Sequence, residues 1–108
     1  MNAVMKGGGL IAAIALITGL HYFTDPTHVL WHELFNYLCF IPIIVAAYWF
    51  GPWGGLTAAL LTSAAFIPHI RMAWASNVPY AMSRYAQIVV FHVTGLLVGL
   101  LVSFQRQL

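Results

Sequence analysis

Residues 86–104 read AQIVVFHVTGLLVGLLVSF, and no charged side chain interrupts them. A helix needs about 20 predominantly apolar residues to cross a hydrocarbon core roughly 30 Å thick. Three further apolar stretches of similar length lie at 7–23, 33–50 and 54–70. The sequence therefore predicts an all-α, polytopic membrane protein in which the single domain 1–108 is a bundle of four transmembrane helices.

The composition of the whole chain also predicts a lipid environment. Of its 108 residues, 62% are hydrophobic and 6% are charged, and the mean hydropathy is +0.89. A soluble domain carries about 25% charged residues, and a domain this small leaves a large share of its surface in water. We therefore expect the lipid bilayer to surround these helices and no soluble domain to be present.

The few charged residues exclude several classes of function. The sequence contains no run of basic residues that could contact successive phosphates of a nucleic acid, so nucleic acid is not an expected partner. No nucleophile is paired with a base in a recognisable motif, and no glycine-rich phosphate loop follows a strand, so the chain is not expected to be an enzyme. The formal charge of +2 is the sum over Lys6, Arg71, Arg84, Arg106, Asp25 and Glu33.

The connections predict how the chain is arranged across the membrane. Segment 51–54, Gly-Pro-Trp-Gly, is predicted to be a tight turn, and segment 71–85 is rich in the amphipathic residues that favour the headgroup level. Four spans place both termini on the same side. We assign that side to the cytoplasm of a cell inner membrane.

Histidine is unusually frequent for so hydrophobic a chain, and an ionisable side chain inside a bilayer is costly unless it is paired. With four alternating spans, all five histidines fall toward one face of the membrane, together with both acidic residues. That face is the candidate site. Its histidines are His21, His28, His32, His69 and His92.

Two kinds of cofactor fit such a cluster. A transition metal such as copper or zinc takes three or four of these ligands, with nitrogen about 2.0–2.1 Å from the ion. A b-type haem takes one or two axial histidines from facing helices. The alternative is that each imidazole lies among lipid headgroups or bonds the end of a neighbouring helix.

Residues near the start of the second stretch could complete a metal site. His28 and His32 are four residues apart, a spacing that presents two imidazoles on one helix face. Asp25, Glu33 and Asn36 are polar neighbours that could orient an imidazole by accepting its N–H.

Small residues recur at intervals of four in the last two stretches. Gly55 and Ala59 form one such ridge, and Gly95 and Gly99 form a G-x-x-x-G motif. Small residues at this spacing let helix backbones approach closely in membranes. They favour packing within the bundle, and a homodimer is the alternative.

Several short motifs occur in order along nearly the whole chain: His21-Tyr22, His32-Glu33-Leu34-Phe35, Ile41-Pro42, Phe50-Gly51, Gly54-Gly55 and Pro68-His69. The pattern resembles the four-helix membrane region at the N-terminus of many bacterial sensor histidine kinases, a relative of the membrane domain of Kdp-type potassium-sensing kinases. The resemblance implies a last helix that continues into a cytoplasmic signalling module, with both ends inside the cell. These 108 residues contain no phosphoacceptor histidine region and no ATP-binding domain, so kinase activity is not carried over.

Two functions of different classes are compatible with these features. The first is a sensory or regulatory bundle, in which a ligand, metal or redox cofactor at the histidine-rich face shifts helix packing and signals to a partner. The second is a non-catalytic accessory subunit of a respiratory or photosynthetic membrane complex that holds haem, metal or pigment. Either would have other membrane subunits or a second copy as partner. A transporter is less favoured because the midplane carries no charge.

Overall fold

The computed structural model describes residues 1–25 and 27–108 and contains no strand among them. The described residues form the helices α1 (Ala3–Phe23), α2 (Val29–Leu38), α3 (Phe40–Ala73) and α4 (Val78–Gln107). The predicted all-α class is confirmed.

Side-chain caps mark where α1 and α4 begin. The Asn2 Oδ1 atom accepts a hydrogen bond from the Met5 backbone N–H at 2.8 Å, and Asn77 Oδ1 accepts one from the Tyr80 N–H at 3.2 Å. Each cap satisfies a backbone donor that the first turn of a helix leaves unpaired. α2 begins differently, because its N-cap residue, His28, makes no side-chain cap.

Three regions of the described chain are long and apolar enough to cross a membrane: Ala3–Phe23, Val29–Ala73 and Val78–Gln107. The first and last begin several residues before the predicted stretches 7–23 and 86–104. The predicted stretches 33–50 and 54–70 both fall in the middle region, which has 45 residues. A straight helix of that length would be about 68 Å long, more than twice the thickness of the hydrocarbon core.

Gly51 interrupts α3 and turns the chain back on itself. Its backbone has φ 79° and ψ −160°, a combination that is essentially restricted to glycine. A Cβ atom added to Gly54 would lie 2.6 Å from the carbonyl oxygen of Ala46. In a continuous helix, these two residues would be eight positions apart and therefore separated by about 12 Å along the axis. Segments 40–50 and 52–73 of α3 are therefore neighbours in space. The predicted turn at 51–54 is shorter than expected, because the helix resumes at Pro52, the first-turn position where proline is favoured.

The second segment of α3 packs against α4 through small residues. A Cβ atom added to Gly95 would lie 2.5 Å from the carbonyl oxygen of Gly55, and one added to Gly99 would lie 2.6 Å from the carbonyl carbon of Gly51. Ala59, one turn beyond Gly55, is completely buried. The two backbones are therefore in direct contact, as small residues at this spacing allow.

The buried core is narrow, and the outer surface of the molecule is apolar. Ile43, Phe66 and Phe91 are the large side chains at its centre. Leu16 and Leu101, by contrast, are 66% and 64% exposed. An exposed apolar surface this extensive is compatible with contact to lipid.

We expect Gly51→Ala to lower the thermal stability of the protein in mild detergent. The positive φ costs about 1–3 kcal/mol for any residue with a Cβ atom, and that atom would also lie 3.1 Å from Ser103 Oγ. Gly9→Ala is the matched control, because nothing lies within 4 Å of a Cβ atom at Gly9. Unfolding followed by circular dichroism should show a lower midpoint for Gly51→Ala alone. Equal midpoints would contradict the turn described here.

Candidate metal centre

Three helices bring one histidine each to the same end of the molecule. His21 lies near the end of α1, His32 in the first turn of α2, and His69 near the end of α3. Their exposed fractions are 2%, 1% and 6%. The ring centroids of His21 and His32 are 5.4 Å apart, those of His21 and His69 are 5.5 Å apart, and those of His32 and His69 are 5.3 Å apart. The three imidazoles therefore form a nearly equilateral, buried triangle.

Hydrogen bonds to carbonyl oxygens orient two of the three rings. The Nε2 atom of His21 lies 2.9 Å from Asn36 Oδ1, and Nε2 of His32 lies 3.0 Å from the backbone oxygen of Thr24 and 3.1 Å from that of Asp25. A carbonyl oxygen only accepts hydrogen bonds, so each Nε2 carries the proton and donates it. In the neutral form of each ring, the Nδ1 atoms of His21 and His32 therefore keep their lone pairs.

Each of the three rings also has one buried nitrogen without a hydrogen-bond partner. These atoms are Nδ1 of His21, Nδ1 of His32 and Nε2 of His69. Buried polar atoms nearly always have a partner, because leaving one without costs about 1–3 kcal/mol. Three such atoms in one cluster can be satisfied by a water molecule or by an ion.

The distances between the ring centroids are compatible with a metal ion shared by the three imidazoles. The present orientations of the rings, however, do not allow them to chelate it. Nitrogen ligands lie about 2.0–2.1 Å from zinc, which places the centroids of tetrahedrally arranged imidazoles about 5.2 Å apart. Across residues 1–25 and 27–108, however, no three His, Cys, Asp or Glu side chains converge to hold a metal ion. The rings of His32 and His69 are nearly parallel, with 13° between their planes. Chelation therefore requires the rings to turn about their side-chain bonds.

The space beside the three rings is small. The cavity that they line has a volume of about 10 Å³, which is close to the minimum that holds one water molecule. Its wall also includes the aromatic rings of Phe66, Trp74 and Phe91. A single ion or water molecule fits this space, and a porphyrin does not.

α4 contributes a charged side chain to the same cavity wall. Arg84 lies there, and its Nη2 atom is 3.0 Å from Oε1 of Glu33 on α2. The hydroxyl of Tyr80 donates a second hydrogen bond to that oxygen, at 2.8 Å. Glu33 thus joins α2 to α4, and does not accept a hydrogen bond from an imidazole as the sequence predicted.

The remaining predicted site residues lie outside the triangle. His28 is exposed at the start of α2, so it does not share a face with the buried His32. His92 is half-buried, and its Nδ1 atom lies 2.9 Å from the backbone oxygen of Ile88, one turn earlier in α4. The Asp25 carboxylate is exposed and accepts hydrogen bonds from the backbone N–H and the hydroxyl of Thr27, which hold the pKa of Asp25 below its usual range.

Arg84 is the member of the site that sequence reasoning missed. The sequence placed it among the interfacial residues of segment 71–85, whereas α4 already begins at Val78 and carries Arg84 inward. The available signal was a cation close to an apolar stretch, which requires a partner.

Comparisons with protein-family models, with curated proteins and with solved structures found no match.

Proposed function

We propose that this chain is a membrane sensory or regulatory bundle that binds one transition-metal ion through His21, His32 and His69. The observation that supports the proposal most directly is the set of three buried ring nitrogens without partners, one on each of three helices. A neutral imidazole nitrogen is the commonest metal ligand in proteins. Zinc and copper are the ions that an all-imidazole site suits best among those expected from the sequence.

The size of the cavity favours a metal ion over haem. The space beside the rings is about 10 Å³, and the ring centroids are at most 5.5 Å apart. Inserting a porphyrin would require the helices to separate widely, whereas a metal ion requires the imidazoles to turn toward a common centre. Carbonyl oxygens already lie beside two of the rings, Asn36 Oδ1 beside His21 and the backbone oxygens of Thr24 and Asp25 beside His32. Metal-bound imidazoles usually donate their second N–H to an acceptor of this kind, and these bonds would have to form again after the rings turn.

The contacts between α2 and α4 supply a route by which metal binding would affect the rest of the protein. Glu33 follows the ligand His32 directly in sequence, and its carboxylate is held by Arg84 and Tyr80. A change in the orientation of α2 would therefore alter the first two turns of α4. In the sensor kinases that the chain resembles, the last helix leads to the signalling module, so α4 is the element expected to act on a partner.

We also propose that the helices cross the membrane four times, with both termini on the cytoplasmic side of an inner membrane. The reversal at Gly51 supports this proposal, because it divides the middle apolar region into two segments that pack side by side. We expect Ala3→Cys and Gln107→Cys, in a Cys39→Ala background, to react with an impermeant maleimide from the same side of the membrane. Ser76→Cys should react from the other side. Labelling of Ala3→Cys and Gln107→Cys from opposite sides would contradict four crossings.

The proposed function is tested by titrating the purified protein in mild detergent with Co²⁺, a spectroscopic substitute for zinc. We expect one ion per chain and the visible absorption of a cobalt ion with nitrogen ligands. The variant in which His21, His32 and His69 are all alanine is the control. If it binds Co²⁺ as the unaltered protein does, the three histidines are not the site.

The sensing role is tested separately, by amide hydrogen exchange. We expect metal to slow exchange in residues 78–84 of α4, which contribute no imidazole to the site, in the unaltered protein and not in the triple variant. Protection confined to the segments around the three histidines would contradict transmission to α4.

A further inference from the structure

An open groove separates the first half of α1 from the second segment of α3. It has a volume of about 330 Å³, and its wall includes the apolar side chains of Leu10, Phe50 and Leu61. The one hydroxyl group on the wall, that of Thr57, donates a hydrogen bond to the backbone oxygen of Trp53 at 2.7 Å. Because that hydroxyl is already bonded and its neighbours are apolar, the groove suits a hydrocarbon occupant.

A second groove continues the first one along α1. It has a volume of about 490 Å³, reaches Tyr22, and shares Ile11, Ile14 and Leu61 with the first groove. From Gly7 to Tyr22 the helix rises about 22 Å, which exceeds half the thickness of a hydrocarbon core of roughly 30 Å. The two grooves together are therefore long enough for an acyl chain that spans one leaflet.

A cation without a counter-charge lies at the outer end of the first groove. Lys6 precedes Gly7 of the groove wall, and its Nζ atom lies 5.5 Å from the ring centroid of Trp49. Lys6 forms no salt bridge with any residue that the structure describes. Both acidic residues of the chain lie at the end that holds the three histidines, with Asp25 beyond the end of α1 and Glu33 on α2. The end of the molecule around Lys6 is therefore positive.

We propose that the two grooves bind an acyl chain of an anionic phospholipid, whose phosphate group lies beside the Lys6 ammonium. This inference goes beyond the proposed metal site and does not depend on it. Tryptophan and basic residues favour the headgroup level of a membrane, and Trp53 on the groove wall is 79% exposed. The apolar stem of a lysine covers hydrocarbon while its charge reaches the headgroups. Lys6 thus places a positive charge where a phosphate group enters the groove.

The charges at this end disfavour a second copy of the chain as the occupant. Arg106 donates a hydrogen bond to the backbone oxygen of Tyr48, next to Trp49, so it lies at the same end as Lys6. A second copy with the same orientation in the membrane would bring the same two cations to this level. No acidic side chain is present there to offset them, and like charges repel. A lipid phosphate supplies the missing negative charge.

Native mass spectrometry of the full chain, delipidated in mild detergent, tests the headgroup contact. The protein is titrated with dioleoyl phosphatidylglycerol and with dioleoyl phosphatidylcholine, which have the same acyl chains and differ in headgroup charge. We expect the first molecule of the anionic lipid to bind about fivefold more tightly, which is the effect of one basic residue near an anionic surface. Lys6→Gln should remove this preference. Arg71→Gln is the matched control and should keep it, because Arg71 is an exposed cation in the last turn of α3.

Gly7→Leu tests the groove itself. Nothing lies within 4 Å of a Cβ atom added at Gly7, so the new side chain fills the groove without a clash and should weaken the binding of both lipids several-fold. Gly8→Leu is the matched control, because Gly8 is equally unobstructed but does not line the groove. Circular dichroism of both variants monitors the fold.

The possible outcomes decide the lipid site separately from the metal site. Loss of the preference in Lys6→Gln, together with weaker lipid binding in Gly7→Leu alone, would support the lipid site. Equal affinity of the unaltered protein for the two lipids, a preference that survives in Lys6→Gln, or equal binding by Gly7→Leu and Gly8→Leu would overturn it. A dimer that excludes lipid would also overturn it. None of these results bears on the binding of metal at the other end of the molecule.

Discussion

Replacing His21, His32 or His69 with alanine is expected to lower zinc affinity by more than about 100-fold. Removing a residue that merely orients a metal ligand costs 10- to 100-fold, and each of these substitutions removes a ligand itself. The remaining two imidazoles would leave zinc with half of its usual four ligands. Competition with a chromogenic chelator, carried out in detergent, measures the three affinities.

Three variants serve as graded controls for this prediction. His28→Ala and His92→Ala remove imidazoles outside the triangle, one of them exposed and the other bonded within α4, so zinc affinity should not change. Asn36→Leu removes the oxygen that accepts from His21 Nε2, and a loss of about 10- to 100-fold is expected. If zinc affinity fell equally in all five alanine variants, the loss would reflect damage to the fold and not loss of ligands.

Gly95→Ala is expected to destabilise the bundle by about 2–3 kcal/mol or more. The new Cβ atom would lie 2.5 Å from the carbonyl oxygen of Gly55. Overfilling a packed core costs about 1–3 kcal/mol when side chains can adjust, but here the obstacle is backbone. The helices must move apart, so the thermal midpoint in detergent should fall well below that of the unaltered protein.

Gly19→Ala makes the same chemical change in α1, where nothing lies within 4 Å of the added Cβ atom. Alanine also has the higher helix propensity, by about 1 kcal/mol. The midpoint of Gly19→Ala should therefore equal or exceed that of the unaltered protein. A midpoint for Gly95→Ala as high as that of Gly19→Ala would show that α3 and α4 do not meet at these glycines.

The class of the fold and a turn at 51–54 could be predicted from the sequence, but the length of that turn and the residue at which helix resumes could not. Long apolar stretches such as 86–104 indicate helices whatever their neighbours are. The reversal depends on one residue, Gly51, with helix resuming at Pro52. A glycine followed by proline is compatible with either a kink or a full turn, and the packing of Gly54 against Ala46 distinguishes the two.

The candidate site could be predicted only in part, for a related reason. Because successive spans cross in opposite directions, the sequence predicts His21, His32 and His69 at the same end of the bundle. The side chains of α1, however, are mostly apolar on every face of the helix. Periodicity therefore does not indicate which face of α1 packs inward. His28 and His32 show the limit of a spacing argument, because α2 begins only after His28, which leaves that side chain exposed.

X-ray absorption spectroscopy of the zinc-loaded protein tests the proposed metal centre most directly. The spectrum should fit three imidazole nitrogens at about 2.0–2.1 Å, and this signal should be absent from the triple alanine variant. A spectrum that fits oxygen ligands with no more than one imidazole would contradict the proposal that His21, His32 and His69 bind the metal together.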